Sequence, residues 1–244
     1  MPLLQDNNTN NKSAVELLAS MTDTYFWLRW ATGVIAVAFP IVLWIGGKIV
    51  HGLDLQRSMS AYYFTDMRDW FVGILFAIGA ALYFYEGLTS LENHFMTAAA
   101  LFAAGTAINP MGWFPTWWPS FLVKLGFTPH GISAISFFVM IIFSCWFCHS
   151  DILKLKLVPQ GAAALRRKYL FLSALLLIAP AAAVVLNIRD GKPGESTVFY
   201  VEAFSIWSFA AYWFIKTGEL VDALEATKEH ARAESPNTMR NSAP

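Results

Sequence analysis

Six apolar stretches, roughly 30–50, 70–88, 95–114, 131–149, 169–187 and 197–215, constrain this chain more than any other feature. Each comes close to the about 20 residues that a helix needs to cross the hydrocarbon core of a bilayer. In that medium a backbone segment must satisfy its own N–H and C=O groups, which selects the helix. Hydrophobic residues make up 56% of the 244 and charged residues 14%, a balance that a water-soluble surface of this size would not tolerate. The reading is an all-α integral membrane bundle of six transmembrane helices, with short connections and no internal repeat. It spans residues 30–216, between an N-terminal segment 1–29 and a charged C-terminal segment 217–244.

The formal net charge of zero leaves no basic stripe to replace phosphate counterions, so a nucleic-acid partner is excluded and membrane lipid is the partner implied. Residues 1–24 are polar and lack the basic and apolar regions of a cleavable signal peptide, so the first span is expected to direct insertion. Ser13 to Glu16 has the pattern of a capping box opening a short amphipathic surface helix. At the other end Glu219, Asp222, Glu225, Lys228, Glu229 and Arg232 mark a charged helix, and SPNTMRNSAP after it is expected to be disordered. With six spans, the side holding both termini carries eleven Lys and Arg, among them Arg29, Lys154, Lys156, Arg166, Arg167, Lys168 and Lys216. The opposite side carries six. Both termini are therefore placed in the cytoplasm and the protein in the plasma membrane, the inner membrane if the cell is bacterial. Trp70, Trp113, Trp117 and Trp118 would mark the outer interface, Trp27 and Trp30 the inner one.

In this topology spans 2, 4 and 6 begin on the outer side, turning their free N–H groups and positive dipole ends toward one surface. Near those starts lie Ser58, Ser60, Tyr62, Asp66, Asp69, His130 and Glu202, the expected ligand-binding set. Each has a structural counterpart. Thr65 or Asp66 suits the N-cap of span 2, and Asp69 suits its first turn. His130 after Pro129 suits a wetted first turn. Glu202, inside VFYVEAFSIWSF, is an ionisable residue within a span, which calls for a partner or a cavity. Arg68 with Tyr62 or Tyr63 could complete a satisfied network around the acids. Asp69, His130 and Glu202 are also a donor set for a divalent transition metal, although no HxxxH or HExxH spacing supports it. Ser58 or Ser60 as nucleophile with His130 as base is geometrically conceivable, without a G-x-S-x-G elbow.

Cys145-Trp-Phe-Cys148-His149 matches the haem-attachment pattern C-x-x-C-H but lies at the cytoplasmic end of an apolar helix, where buried thiols are ordinary. Glu86, Glu92 and His94 form an inner polar group of the kind a proton-coupled transporter would need. Pro40 and Pro180 are expected to kink spans 1 and 5, and Asn109-Pro110 to end span 3.

S-x-S-x-Y-Y after span 1, R-D-W-F-V-G opening span 2, A-I-N-P ending span 3, H-G-I-S-A-I-S-F-F opening span 4 and V-E-A in span 6 form a recognisable series. Over residues 30–216 the series resembles the six-span DRAM/Frag/Sfk family and related bacterial membrane proteins. That resemblance implies a role in glycolipid-anchor remodelling, phospholipid asymmetry or lysosomal membrane regulation, with Ser58, Asp69, His130 and Glu202 at the recurring polar positions. The chain departs from the family at Ala61-Tyr62, where a glycine-bearing turn is common. A more distant likeness is to ceramidase-type zinc hydrolases, whose H-x-x-x-H pair and additional span are missing. The expectation is a multi-pass protein whose outward-facing polar pocket binds or remodels a lipid or lipid-like anion. The alternatives are a metal-dependent membrane lipid hydrolase and a small-molecule or proton-coupled transporter. A homo-oligomer is compatible with any of them.

Overall fold

Where the apolar stretches lie, the chain is helical, and every regular element among the described residues is a helix. The computed structural model describes residues 6–149, 162–189 and 196–240, with some side chains in the terminal and fifth apolar segments outside that description. Helix α1 (Asp6–Ile41) passes through a π-helical turn (Val42–Gly46) into α2 (Gly47–His51). A 3-10 helix (Ser60–Phe64), α3 (Arg68–Tyr83), α4 (Ser90–Ile108), α5 (Ser120–Lys124), α6 (Pro129–Phe147), α7 (Ala162–Arg189) and α8 (Thr197–Arg240) follow.

Local chemistry explains the breaks. Pro40 has no N–H for the helical ladder, and the ladder widens into the π turn just after it. Gly52, at φ 66°, closes α2 in the left-handed region, its N–H bonded to the Lys48 carbonyl at 3.1 Å. Asn109 ends α4 in an extended conformation because Pro110 disfavours helical geometry in the residue before it. Thr128 caps α6 by accepting from Gly131 N at 3.0 Å, with Pro129 in the first turn where its missing N–H costs nothing.

Two terminal expectations change. The surface helix expected near Ser13 is the opening of the continuous α1. Residues 235–240, expected to be disordered, continue α8, because the Ala, Glu, Lys and Arg run before them propagates helix well. The basic connection around Lys154 and Lys156 lies outside the described residues.

Among the described residues, three helices are long and apolar enough to cross a membrane: Ser20–His51, Pro129–Phe147 and Thr197–Glu219. The other expected spans differ for separate reasons. Helix α3 has 16 residues. At 1.5 Å per residue that is about 24 Å, short of a hydrocarbon core of about 30 Å. Helix α4 has 19 residues but opens on Glu92, Asn93 and His94. In α7 several side chains of the apolar run lie outside the description. Only 33% of the apolar window is buried in Ser20–His51 and in Pro129–Phe147, so faces carrying Val34, Ile41, Trp44 and Trp146 stay partly exposed.

The long helices form a closed ring in chain order: α1 on α3, α3 on α4, α4 on α6, α6 on α7, α7 on α8, and α8 back on α1. Small residues permit the close crossings. A Cβ on Gly33 of α1 would come within 2.6 Å of the Phe214 ring on α8, and one on Gly79 of α3 within 3.2 Å of the Ala100 carbonyl on α4. Phe39, Leu43, Met96, Phe209 and Trp213 fill the interior. Bonded residues from the end of α4 meet the starts of α6 and α8 at one end of the ring, so successive helices alternate in direction. Ser60 lies at that end and Lys216 near the other.

Candidate functional site

His130 organises the Ser60 end. Placed by the Thr128 cap in the first turn of α6, it is only 4% exposed. Its Nδ1 lies 2.9 Å from both the Thr106 and the Asn109 carbonyl oxygens, at the end of α4 that Pro110 terminates. Both partners only accept, so Nδ1 carries the hydrogen and the neutral ring keeps its lone pair on Nε2. Nε2 is 2.9 Å from Ser60 Oγ, whose hydroxyl therefore donates to it. Phe71 stacks on the imidazole at 6.4 Å between ring centres.

Glu202, on α8, holds the backbone behind this pair. Its carboxylate accepts from the N–H of Met59, the residue before Ser60, at 2.6 Å. Phe199 N donates to the Arg57 carbonyl at 2.9 Å, tying the start of α8 to the same loop. The structure thus brings Ser60, His130 and Glu202 into one bonded group drawn from a loop and two helices.

The remaining expected residues lie elsewhere. Ser58 is buried, with Oγ accepting from Ala61 N at 3.0 Å and donating toward Met111 Sδ at 3.8 Å. Tyr62 turns into the core against Phe199, and burial pushes its hydroxyl above the ordinary tyrosine pKa. Asp66 is exposed and sits 3.8 Å from His51. It does not cap α3, because Thr65 accepts from Met67 N and Met67 occupies the cap position without a side-chain bond. Asp69 is exposed on the first turn. Among the described residues no group of three or more His, Cys, Asp or Glu could hold a metal ion. The set Asp69, His130 and Glu202 is corrected accordingly: Asp69 faces outward, while His130 and Glu202 spend their polar atoms on backbone and hydroxyl partners.

Beside the group, Leu53, Tyr63, Phe64, Thr65, Asp66, Arg68 and Pro110 line an open depression of about 720 Å³. Arg68 is held there by Tyr63, donating to its hydroxyl at 2.9 Å with the guanidinium 4.6 Å from the ring centre. Among the described residues it makes no ion pair.

A second polar group, near the other end, is denser and entirely inside. Lys216 Nζ on α8 is 2.8 Å from Glu92 Oε1 on α4 and 3.4 Å from Glu219 Oε2. Tyr85 donates to Glu92 at 3.0 Å, Tyr169 to Glu219 at 2.6 Å, and Leu88 N to Glu92 at 3.2 Å. Arg29 donates to the Lys216 carbonyl at 2.7 Å and lies 4.8 Å over the Tyr85 ring and 5.7 Å over Trp213. In the sequence Arg29 and Lys216 count only among the cations on the side of the termini, and Glu92 only within the inner polar group with Glu86 and His94. The available signal was Thr89-x-x-Glu92, a capping-box pattern that locks Glu92 into the first turn of α4. Glu86 stays exposed, accepting from Asn93 at 2.8 Å. Cys145 and Cys148 are buried.

No family model matches this chain, and neither a curated protein nor a solved structure is found to be similar to it.

Proposed function

We propose that the chain is a six-span plasma-membrane protein, both termini cytoplasmic, that binds or remodels a lipid or lipid-like anion in the depression at its outer face. The likeness to DRAM/Frag/Sfk proteins belongs to this reading. Support comes from three helices able to cross a membrane, the alternating ring, and apolar faces left partly exposed.

The observation that carries the reading is Arg68. A guanidinium propped on an aromatic ring, with no ion pair among the described residues and lining an open depression, presents a fork of donors matched to phosphate oxygens. Leu53 and Phe64 beside it suit the glycerol and acyl region. Exposed Trp70, Trp113 and Trp117 would sit at headgroup level. The test is titration of the nanodisc-held protein with phosphatidylglycerol and, as the phosphate-free control, diacylglycerol. Arg68→Gln is expected to weaken phosphatidylglycerol binding about tenfold, or about 1.4 kcal/mol, and to leave diacylglycerol binding unchanged. Equal affinity of wild type and variant for both lipids would overturn the reading.

A further inference from the structure

Headgroup binding makes no use of the Ser60 to His130 hydrogen bond, and that bond has the geometry of an activated nucleophile. We infer that Ser60 and His130 form a nucleophile and base pair that cleaves an acyl ester of a bound lipid. The substrate class rests on the lipid-binding reading above. Three observations carry the inference. The tautomer is set for catalysis, since carbonyls of Thr106 and Asn109 both take Nδ1–H and leave Nε2 2.9 Å from Ser60 Oγ as the acceptor. The same carbonyls would stabilise the imidazolium that forms, a task more often given to a carboxylate. Ser60 keeps part of its surface exposed while His130 is buried behind it, so the base is shielded. The pair also adjoins the depression, because Tyr63 and Phe64 share the 3-10 helix of Ser60, and Pro110 follows Asn109. Ser58 differs in each respect, being buried with its oxygen engaged by Ala61 N and Met111.

In the first step Ser60 Oγ bonds to the ester carbonyl carbon as its proton passes to His130 Nε2. The ester C–O bond then breaks, and the departing lysolipid oxygen takes that proton. In the second step water attacks the acyl-serine and gives a proton to Nε2. The Ser60 oxygen leaves and recovers the proton, releasing a fatty acid. Ester and water become alcohol and acid, with no redox change. Glu202, bonded to the N–H group of Met59, is a positioning residue that fixes the backbone next to the nucleophile.

The experiment treats the full-length protein in nanodiscs with a fluorophosphonate probe, localises the adduct by mass spectrometry, and measures phosphatidylglycerol binding on the same samples. Wild type should be labelled on Ser60, Ser60→Ala should be unlabelled while still binding lipid, and Ser120→Ala should label as wild type. His130→Gln should slow labelling at least about a hundredfold. Wild type that binds lipid without labelling, or Ser60→Ala that still labels, overturns the nucleophile and leaves lipid binding standing. Labelling at Ser60 without lipid binding supports the pair and overturns the lipid reading. Release of fatty acid from phosphatidylglycerol vesicles by wild type and not by Ser60→Ala would support both.

Discussion

The two polar groups solve the same problem, placing ionisable side chains among apolar helices, in opposite ways. Near Lys216 the charges neutralise one another: Lys216 lies between Glu92 and Glu219, Tyr85 donates to the Glu92 oxygen that Lys216 contacts, Tyr169 to the other oxygen of Glu219, and Arg29 stacks on aromatic rings. Glu92 has no exposed surface, so little there can meet a ligand. Around Ser60 the partners are mostly neutral backbone groups, and two reactive functions, the Ser60 hydroxyl and the Arg68 guanidinium, stay within reach of the surface. Density of charge therefore marks the structural clamp, and sparseness with exposure marks the candidate site. Low dielectric makes an unpaired buried charge so costly that a densely charged group must close on itself.

The largest effect should come from opening the clamp. Lys216→Met leaves Glu92 and Glu219 without their cation, and removing one partner of a buried pair costs about 3–5 kcal/mol. Thermal unfolding in detergent should show the loss, and adding Glu92→Gln should restore part of it. A melt unchanged by Lys216→Met would break the contrast. Next, Glu202→Ala strands the Met59 backbone N–H, for about 1–3 kcal/mol. Glu202→Gln, which keeps one acceptor, should lose less stability and retain part of the Ser60 labelling rate. Equal losses for the two variants would count against a backbone-positioning role.

Smaller effects sharpen the contrast from the Ser60 end. Arg68→Gln should change stability by less than about 0.5 kcal/mol, as for an exposed side chain, while weakening phosphatidylglycerol binding. An equal drop in melting temperature would make Arg68 a structural residue. The smallest effect concerns Tyr62. Burial raises its folded-state pKa, so its contribution is full below the ordinary tyrosine value of about 10 and is lost as pH rises through the folded value. Tyr62→Phe should shift the neutral-pH melt little and diminish the alkaline loss of stability. A loss of unchanged size in the variant would assign it to other groups.

How far the site could be read in advance depended on the kind of interaction. Glu202 stood out because an ionisable residue in an apolar run demands a partner, and the structure supplies one, whereas His130, expected in a wetted first turn, is buried because the end of α4 and Ser60 take up both its ring nitrogens. Asp69 stood out for the same composition but lies on the outward face of the first turn of α3, since helical phase decides which way a terminal residue points. Lys216 and Arg29 were hidden by their positions near the ends of apolar runs, where the charge-bias rule explains a cation without asking whether it turns inward. The Thr89 capping pattern could have signalled Glu92, though not its bond to a residue 124 positions later.

By itself the sequence determined that the chain is helical and that Pro40 and Asn109-Pro110 interrupt its helices; of the six spans expected from it, three are long and apolar enough to cross a membrane among the described residues. Those properties are set by backbone chemistry and hydropathy, which act within a few residues. Tertiary structure alone decided that Ser60 meets His130, that Glu202 holds the loop between them, and that Lys216 closes on Glu92. These bonds join residues from different helices, and their formation depends on the order and rotation of helices in the ring. Close contacts such as Gly33 against Phe214 settle that arrangement, and no local pattern encodes it.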